Sequence, residues 1–412
     1  MHPDATQKLS RYHKLLFALL CVATIFEGFD TKLSSLLLPL LGDEFDAGPE
    51  RLSQALAVLG FGSIVAFPVI RLADRVGRRP LMLIAVGGYA LLTLLTTFSG
   101  SLAQFAAIQF AAKTLLVTQL AIAYVILSEE LPSRLRGRAN GFLGAFASVG
   151  AALPAVFLAP LEETTLGWRG LFLLGALPLL LLPIFWRVLR ETPAFLARRP
   201  GKESMLAQGR TLLSGGLRRR FIGVTLLWFT VSFSSMCTMF FFSYYVFNER
   251  GWTPRDLQIV VPAAVPFAFL GYAAGGRLAD LVGRRGAAAT FLLLATAVAN
   301  IGYRAEEWGV IAGSWVALQM LQGVWPIANT ITAELFPTEV RASAGAFAHN
   351  LLGRWGLVIG PPIVGALAGA LGSTGEAVAW LSLANLVLVP LSLWLLPETR
   401  GVDITAIDVD AA

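Results

Sequence analysis

Apolar runs of about twenty residues, separated by short charged or Gly/Pro-containing breaks, recur from one end of the chain to the other. A run of that length as a helix matches the ~30 Å hydrocarbon core of a bilayer. A soluble core cannot enclose twelve of them. Read this way, the spans fall at 15–41, 52–70, 80–98, 102–128, 139–160, 169–187, 221–247, 257–276, 286–303, 309–333, 342–368 and 377–396. Composition agrees: 56% of residues are hydrophobic and 14% charged, whereas a soluble domain carries about 25% charged residues. The chain therefore reads as an all-α, multi-pass integral membrane protein whose medium is the lipid bilayer. The first run is too long for a signal peptide and lacks a small-residue cleavage site, so it is expected to remain in the mature protein.

Basic residues order the loops. The N-terminal arm and every second loop hold twenty-four Lys and Arg, and the opposite loops hold five. Basic residues gather on the cytoplasmic side, so both termini are expected there, in a cell inner (plasma) membrane. The net charge of +6 thus reflects topology, and no nucleic-acid partner is implied. Three basic residues, Lys32, Lys113 and Arg354, lie inside spans.

The chain also repeats itself. Arg71-Leu-Ala-Asp-Arg-Val-Gly-Arg-Arg79 returns 206 residues later as Arg277-Leu-Ala-Asp-Leu-Val-Gly-Arg-Arg285. Pro132-Ser-Arg-Leu-Arg136 is answered by Pro337-Thr-Glu-Val-Arg341, and Leu189-Arg-Glu-Thr192 by Leu396-Pro-Glu-Thr399. Internal repeats of this kind are a mark of transporter folds. They divide the chain into a six-helix bundle at 1–190, a charged cytoplasmic connection at 191–220, and a second six-helix bundle with a short tail at 221–412.

Charge inside the spans marks function, because an isolated charge at mid-membrane costs about 2.5–3.5 kcal/mol and so faces a partner or an aqueous cavity. Glu27, Lys113 and Arg354 each lie roughly 17–18 Å along their helices, near mid-bilayer. Glu27 and Asp30 share a helix face, as do Asn350 and Arg354. A buried Glu27–Lys113 bridge that only locks helices together is the competing reading. His349 reads either as a proton acceptor or as a packing histidine. Gln322, Trp325 and the Phe240–Tyr245 run, including Tyr244, are candidates for lining a cavity, with packing as the alternative for the aromatics. His2, His13 and His349 are too scattered for a metal site. Cys21 and Cys237 lie within apolar runs and form no framework. No H-E-x-x-H, G-x-x-x-x-G-K or G-x-S-x-G arrangement supports an enzyme, and no cofactor is expected.

The repeated loop resembles the G-x-x-x-D-R-x-G-R-R signature of the major facilitator superfamily, matched at Asp74, Arg75, Gly77, Arg78 and Arg79, with Ile70 at the first Gly. Its second copy keeps Gly276, Asp280, Gly283, Arg284 and Arg285, with Leu281 in place of Arg. Glu191-Thr-Pro193, Phe336-Pro-Thr-Glu-Val-Arg341 and Pro397-Glu-Thr-Arg-Gly401 are similar to the sugar-porter branch and its organic-ion relatives. Within it, Glu27-Gly-Phe-Asp30 and Gly353-Arg-Trp-Gly356 resemble the D-G-x-D and G-R-x-G of aromatic-acid:proton symporters, and Lys113 occupies the place of their helix-4 Arg. The paired Gln of sugar porters is absent from helix 7.

The resemblance implies twelve transmembrane helices in two pseudo-symmetric bundles. It also implies a monomeric secondary transporter that moves a small organic anion, such as an aromatic or other carboxylic acid, by proton symport. A proton-driven exporter of drugs or metabolites remains the alternative, with a sugar transporter or a non-transporting sensor behind it. Lys113, Arg354, Asn350, Gln322, Trp325 and Tyr244 are the expected substrate residues. Asp30 is the expected proton carrier, with Glu27 as its electrostatic partner. Asp74, Arg75, Arg78, Asp280 and Arg284 are the expected gating residues.

Overall fold

A computed structural model describes residues 10–197 and 205–400. The start of the N-terminal arm, with Lys8, part of the connection at 191–220, and nearly all of the tail lie outside the described residues. Helices and turns account for the rest, and no strand occurs among the described residues. The helices are α1 (Arg11–Leu36, continued by Leu38–Glu44), α2 (Pro49–Val76), α3 (Arg78–Thr96), α4 (Leu102–Glu130), α5 (Ala139–Glu162), α6 (Arg169–Val188), α7 (Leu217–Arg250), α8 (Pro254–Val282), α9 (Arg284–Gly302), α10 (Trp308–Leu335), α11 (Val340–Leu371) and α12 (Thr374–Leu395).

Eleven of these, α2 to α12, are long and apolar enough to cross a membrane. Helix α1 has the length, 26 residues, but Glu27, Asp30 and Lys32 fall within six positions of it and lower its hydropathy. Inward-facing charge therefore hides a span that length alone supports.

Local chemistry sets the helix starts. Ser101 Oγ accepts from Gln104 N at 3.2 Å to begin α4, and Ser373 Oγ accepts from Glu376 N at 3.1 Å to begin α12, each satisfying an otherwise unpaired helical N–H. Thr253 and Asp256 form a reciprocal capping box at α8. Gly77 (φ +103°) and Gly283 (φ +89°) turn the chain sharply into α3 and α9 in a conformation that L side chains rarely adopt.

The helices pack into two compact units that cut across the repeat. Unit 1 comprises Met1–Ser34 and Val65–Gly201, and unit 2 comprises Ser35–Ile64 and Lys202–Ala412. The end of α1 and the first part of α2 thus group with the second repeat. The reason lies in small residues. A side chain on Gly60 would meet the Leu357 carbonyl, and one on Gly365 would meet Ser53, so α2 and α11 approach closely, as small residues permit in membranes. Ser243 of α7 also donates to the Ser35 carbonyl.

Unit 1 has a core around Leu20, Met82, Val86, Tyr89, Ile122 and Leu143. In unit 2, Trp228, Leu227, Ala288, Ile327 and Ala348 lie at the centre of the core.

Candidate functional site

In unit 1 the charges of α1 and α4 meet. A side chain on Gly28 would collide with the Ala147 carbonyl of α5, and one on Gly150 with the Ile25 carbonyl. This tight α1–α5 crossing sets α1, and the 27/30/31 face is directed elsewhere. Lys113 Nζ donates to Thr31 Oγ1 at 2.9 Å, and Thr31 Oγ1 donates to Glu27 Oε1 at 3.0 Å. Beside this chain, Thr93 of α3 donates to Asp30 Oδ1 at 3.1 Å. Glu27 and Asp30 are both buried, while Lys113 is half-buried. Thr31 is thus the link between the expected acid and the expected cation. The sequence carried a signal for it, since it stands four residues after Glu27, on the same face.

Unit 2 holds a different kind of site. Trp228 of α7 donates from Nε1 to Thr332 Oγ1 at 2.9 Å. Trp325 Nε1 donates to Gln322 Oε1 at 2.9 Å and lies 3.3 Å from Ser235 Oγ, and Ser235 Oγ donates to Gln322 at 3.1 Å. His349 stacks flat on Trp228, ring centroids 3.8 Å apart, and presents its ring edge-on to Trp325 at 5.7 Å.

Here α11 widens into a π-helix over Ala346–Gly353, a distortion that frequently accompanies function. Gly353, Gly356 and Gly360 face α7 so closely that side chains on the first two would strike Trp228 and the backbone of Phe229 and Phe233. Arg354, between two of these glycines, is half-buried, as is Asn350 within the π-helical segment.

Gln322, Trp325, Asn350 and Arg354 thus stand on α10 and α11 around this site. Tyr244 does not join it: it is buried nine residues beyond Ser235 on α7, roughly 13 Å further along the axis. Its neighbours are engaged in packing, with Phe242 stacked on Trp315 at 4.1 Å and Tyr245 donating to the Ala305 carbonyl at 3.0 Å.

The repeated loops form two matching ionic clusters. In unit 1, Arg78 donates to Glu129 of α4 from Nε and Nη2 at 3.2 and 3.0 Å and to Asp74 at 3.1 Å. The N–H groups of Arg78 and Arg79 donate to Glu191 at 2.9 and 3.2 Å, and Thr192 donates to Glu129. In unit 2, Arg284 donates to Glu334 of α10 at 3.0 Å and to Asp280 at 2.9 Å. Arg284 N and Arg285 N donate to Glu398 at 2.7 and 3.1 Å, and Thr399 donates to Glu334 at 2.6 Å.

Each carboxylate, Glu191 or Glu398, caps the first N–H groups of a helix that begins with arginines, where the helix dipole favours a negative charge. Burial raises the pKa of the Glu398 carboxyl, but the N–H groups of Arg284, Arg285, Arg400 and Thr399 outweigh it and hold the group below the usual carboxylate range. Arg75 lies exposed on the same turn as Asp74. Sequence reasoning missed Glu129 and Glu334, although both precede a Pro by three residues at the repeat spacing.

The family model of the Major Facilitator Superfamily matches residues 20–247 and again 224–409. The chain belongs to the Major Facilitator Superfamily. Membership makes its role transport across a membrane rather than catalysis. This superfamily member is 26% identical to the gallate transporter of Pseudomonas putida, over 87% of this chain and 86% of that one. It is 23% identical to the niacin transporter of Acinetobacter baylyi, over 95% of this chain and 96% of that protein. Its fold matches the crystal structure of a bacterial homologue of the human lysosomal transporter Spinster with a TM-score of 0.76, at 14% identity, covering 94% of this chain and 97% of that one.

Proposed function

We propose that the protein is a secondary active transporter that carries a small organic anion, an aromatic or other carboxylic acid, together with a proton by alternating access. One observation carries the reading: two buried carboxylates on one helix of unit 1, Glu27 joined to Lys113 through the Thr31 hydroxyl and Asp30 held by the Thr93 hydroxyl. Relatives that carry gallate and niacin support the substrate class. In this reading Lys113 and Arg354 are the cations that take the carboxylate, with Asn350, Gln322 and Trp325 beside Arg354. An anion that claims the Lys113 ammonium leaves Glu27 and Asp30 with less neutralising charge. A proton on Asp30 restores the balance, so substrate and proton cross together.

Asp74, Arg75, Arg78, Asp280 and Arg284 belong to the moving ends, and their clusters reset as the protein changes state. The reading includes a monomer in the cell inner membrane with both termini cytoplasmic, organised as the two repeats joined through 191–220.

Counterflow of labelled organic acids in proteoliposomes, with and without an imposed pH gradient, is the test. Wild type exchanges an acid and concentrates it only under the gradient, whereas Asp30→Asn keeps exchange and loses accumulation. Failure to exchange any carboxylic acid overturns the substrate class. An Asp30→Asn protein that still concentrates substrate under the gradient overturns the proton assignment, and net extrusion by wild type favours the exporter.

A further inference from the structure

Around Trp228 the indoles and the Ser235 hydroxyl are already engaged. The Trp228 N–H is held by Thr332, the Trp325 N–H by Gln322, and the Ser235 hydroxyl by Gln322. The His349 ring differs. Its face is spent on Trp228, yet neither ring nitrogen hydrogen-bonds any described residue, and the side chain is only partly buried. Its ring nitrogens are thus not closed off, and a polar partner can come to them from outside the described side chains. The π-helical turn bears on its direction. In an α-helix, residues five apart point about 140° away from each other, whereas a π-helix brings them near one face. Arg354, five residues on, follows directly at the end of this π-helical turn. The result is a wall of indole with a hydrogen-bonding imidazole edge, on a turn that ends at an arginine.

We propose that His349 is a specificity-determining residue that hydrogen-bonds a polar substituent on the ring of an aromatic carboxylate held by Arg354. The proposal rests on the transport reading above and sharpens its substrate class from carboxylic acids in general to aromatic acids bearing a ring hydroxyl. Stacking on Trp228 fixes the plane of the imidazole, and the Thr332 bond fixes Trp228, so the free nitrogen is held in one direction before substrate arrives. A site built to hydrogen-bond a hydroxyl discriminates strongly against the analogue that lacks it, because its own polar group is then left unpaired.

The test measures binding of benzoate and 3,4,5-trihydroxybenzoate to the full-length purified protein as wild type, His349→Phe and His349→Gln. His349→Phe keeps an aromatic ring against Trp228 and removes the nitrogens, while His349→Gln keeps a donor and an acceptor. Wild type should prefer the trihydroxy acid by about tenfold or more, the equivalent of one hydrogen bond. His349→Phe should bring that preference to within about twofold, chiefly by weakening the trihydroxy acid, and His349→Gln should keep part of it. A His349→Phe protein that retains the preference, or that loses both acids equally, overturns the proposal while leaving the transport reading intact. If His349→Phe fails to fold, His349→Gln decides through the ratio of the two affinities: loss of both acids in proportion overturns the assignment. A wild type that binds neither acid but exchanges a different solute overturns the substrate class and this proposal together.

Discussion

The ends of the repeats and their middles have had opposite histories. At the ends, Arg78 and Arg284, Asp74 and Asp280, Glu129 and Glu334, Glu191 and Glu398, and Thr192 and Thr399 occupy matching positions 205 to 207 residues apart, and their hydrogen bonds correspond almost one for one. Midway along the helices the charged and polar candidate residues have no such counterparts. At the same spacings Glu27 is matched by Phe233, Asp30 by Met236, Lys113 by Leu318, Arg354 by Val149 and Gln322 by Val117. Unit 1 holds two carboxylates and an ammonium, each bonded to a threonine hydroxyl, whereas unit 2 holds indoles, an imidazole and a guanidinium. A rocking mechanism needs both repeats to bend alike at their ends, which keeps the ends symmetric. Binding one asymmetric molecule has no use for symmetry, and the middles are released from it.

The most damaging way to break this comparison is at the ends. Arg78 is 5% exposed and Glu129 18%. Arg78→Ala leaves Glu129 without its guanidinium partner, while Glu191 keeps the backbone N–H groups that it caps, and removing one partner of a buried pair costs about 3–5 kcal/mol. Arg284 and Glu334 are 14% and 9% exposed, but Asp280 is 73% exposed against 43% for Asp74, so water can take over more of the lost contacts in unit 2. Thermal unfolding in detergent should fall for both variants, more for Arg78→Ala. Equal losses would show that the clusters match in energy as well as geometry, and no loss in either would remove them from the scaffold.

Next come the middles, where each residue is exchanged for the one its repeat mate carries. Arg354→Val and Lys113→Leu should each weaken binding of a transported carboxylate by roughly 10- to 100-fold, since a hydrogen bond to a charged group is worth about 1.5–3 kcal/mol. Arg354→Lys should lie between, because an ammonium does not present the planar fork that grips a carboxylate with two parallel bonds. Equilibrium binding to purified protein reads the effect. Wild-type affinity in either exchange variant would mean that the asymmetry of the middles serves something other than the anion.

What was legible in the sequence divides along the same line. The spans and the repeat could be read directly, because a bilayer imposes one length on every crossing helix and the ends preserve their residues. The charges at Glu27, Asp30, Lys113 and Arg354 stood out for the complementary reason: lipid tolerates so few that each one is a signal. Relations between residues were harder. Thr31 is an ordinary helical threonine until Lys113 arrives from α4. Glu129 and Glu334 sit at helix ends, where acids are common, and only their ion pairs distinguish them. The His349–Trp228 stack depends on the π-helix in α11 and on the glycines that let α7 approach, and an assumed α-helical period points His349 elsewhere. Leu38–Glu44 and Ser53 pack with the second repeat, a grouping that the repeat itself conceals.

The finest comparison is between the two aspartates that both loops retain. Each pairs with the arginine four residues on, and an exposed pair at that spacing contributes about 0.3–0.5 kcal/mol. Neutralising either should therefore leave the fold standing and shift only the balance of states, by roughly twofold. Ser53, fully buried where Gly365 of α11 approaches α2, gives a probe of that balance, because a thiol placed there reacts only when the two helices part. In a Ser53→Cys background, Asp74→Asn should favour the inward-facing state and slow labelling by about half. Asp280→Asn, whose carboxylate already lies mostly in water, should act in the same direction but more weakly. Unchanged labelling in both would confine these aspartates to holding their loops, and faster labelling in Asp74→Asn would mean that the substitution shifts the balance the opposite way.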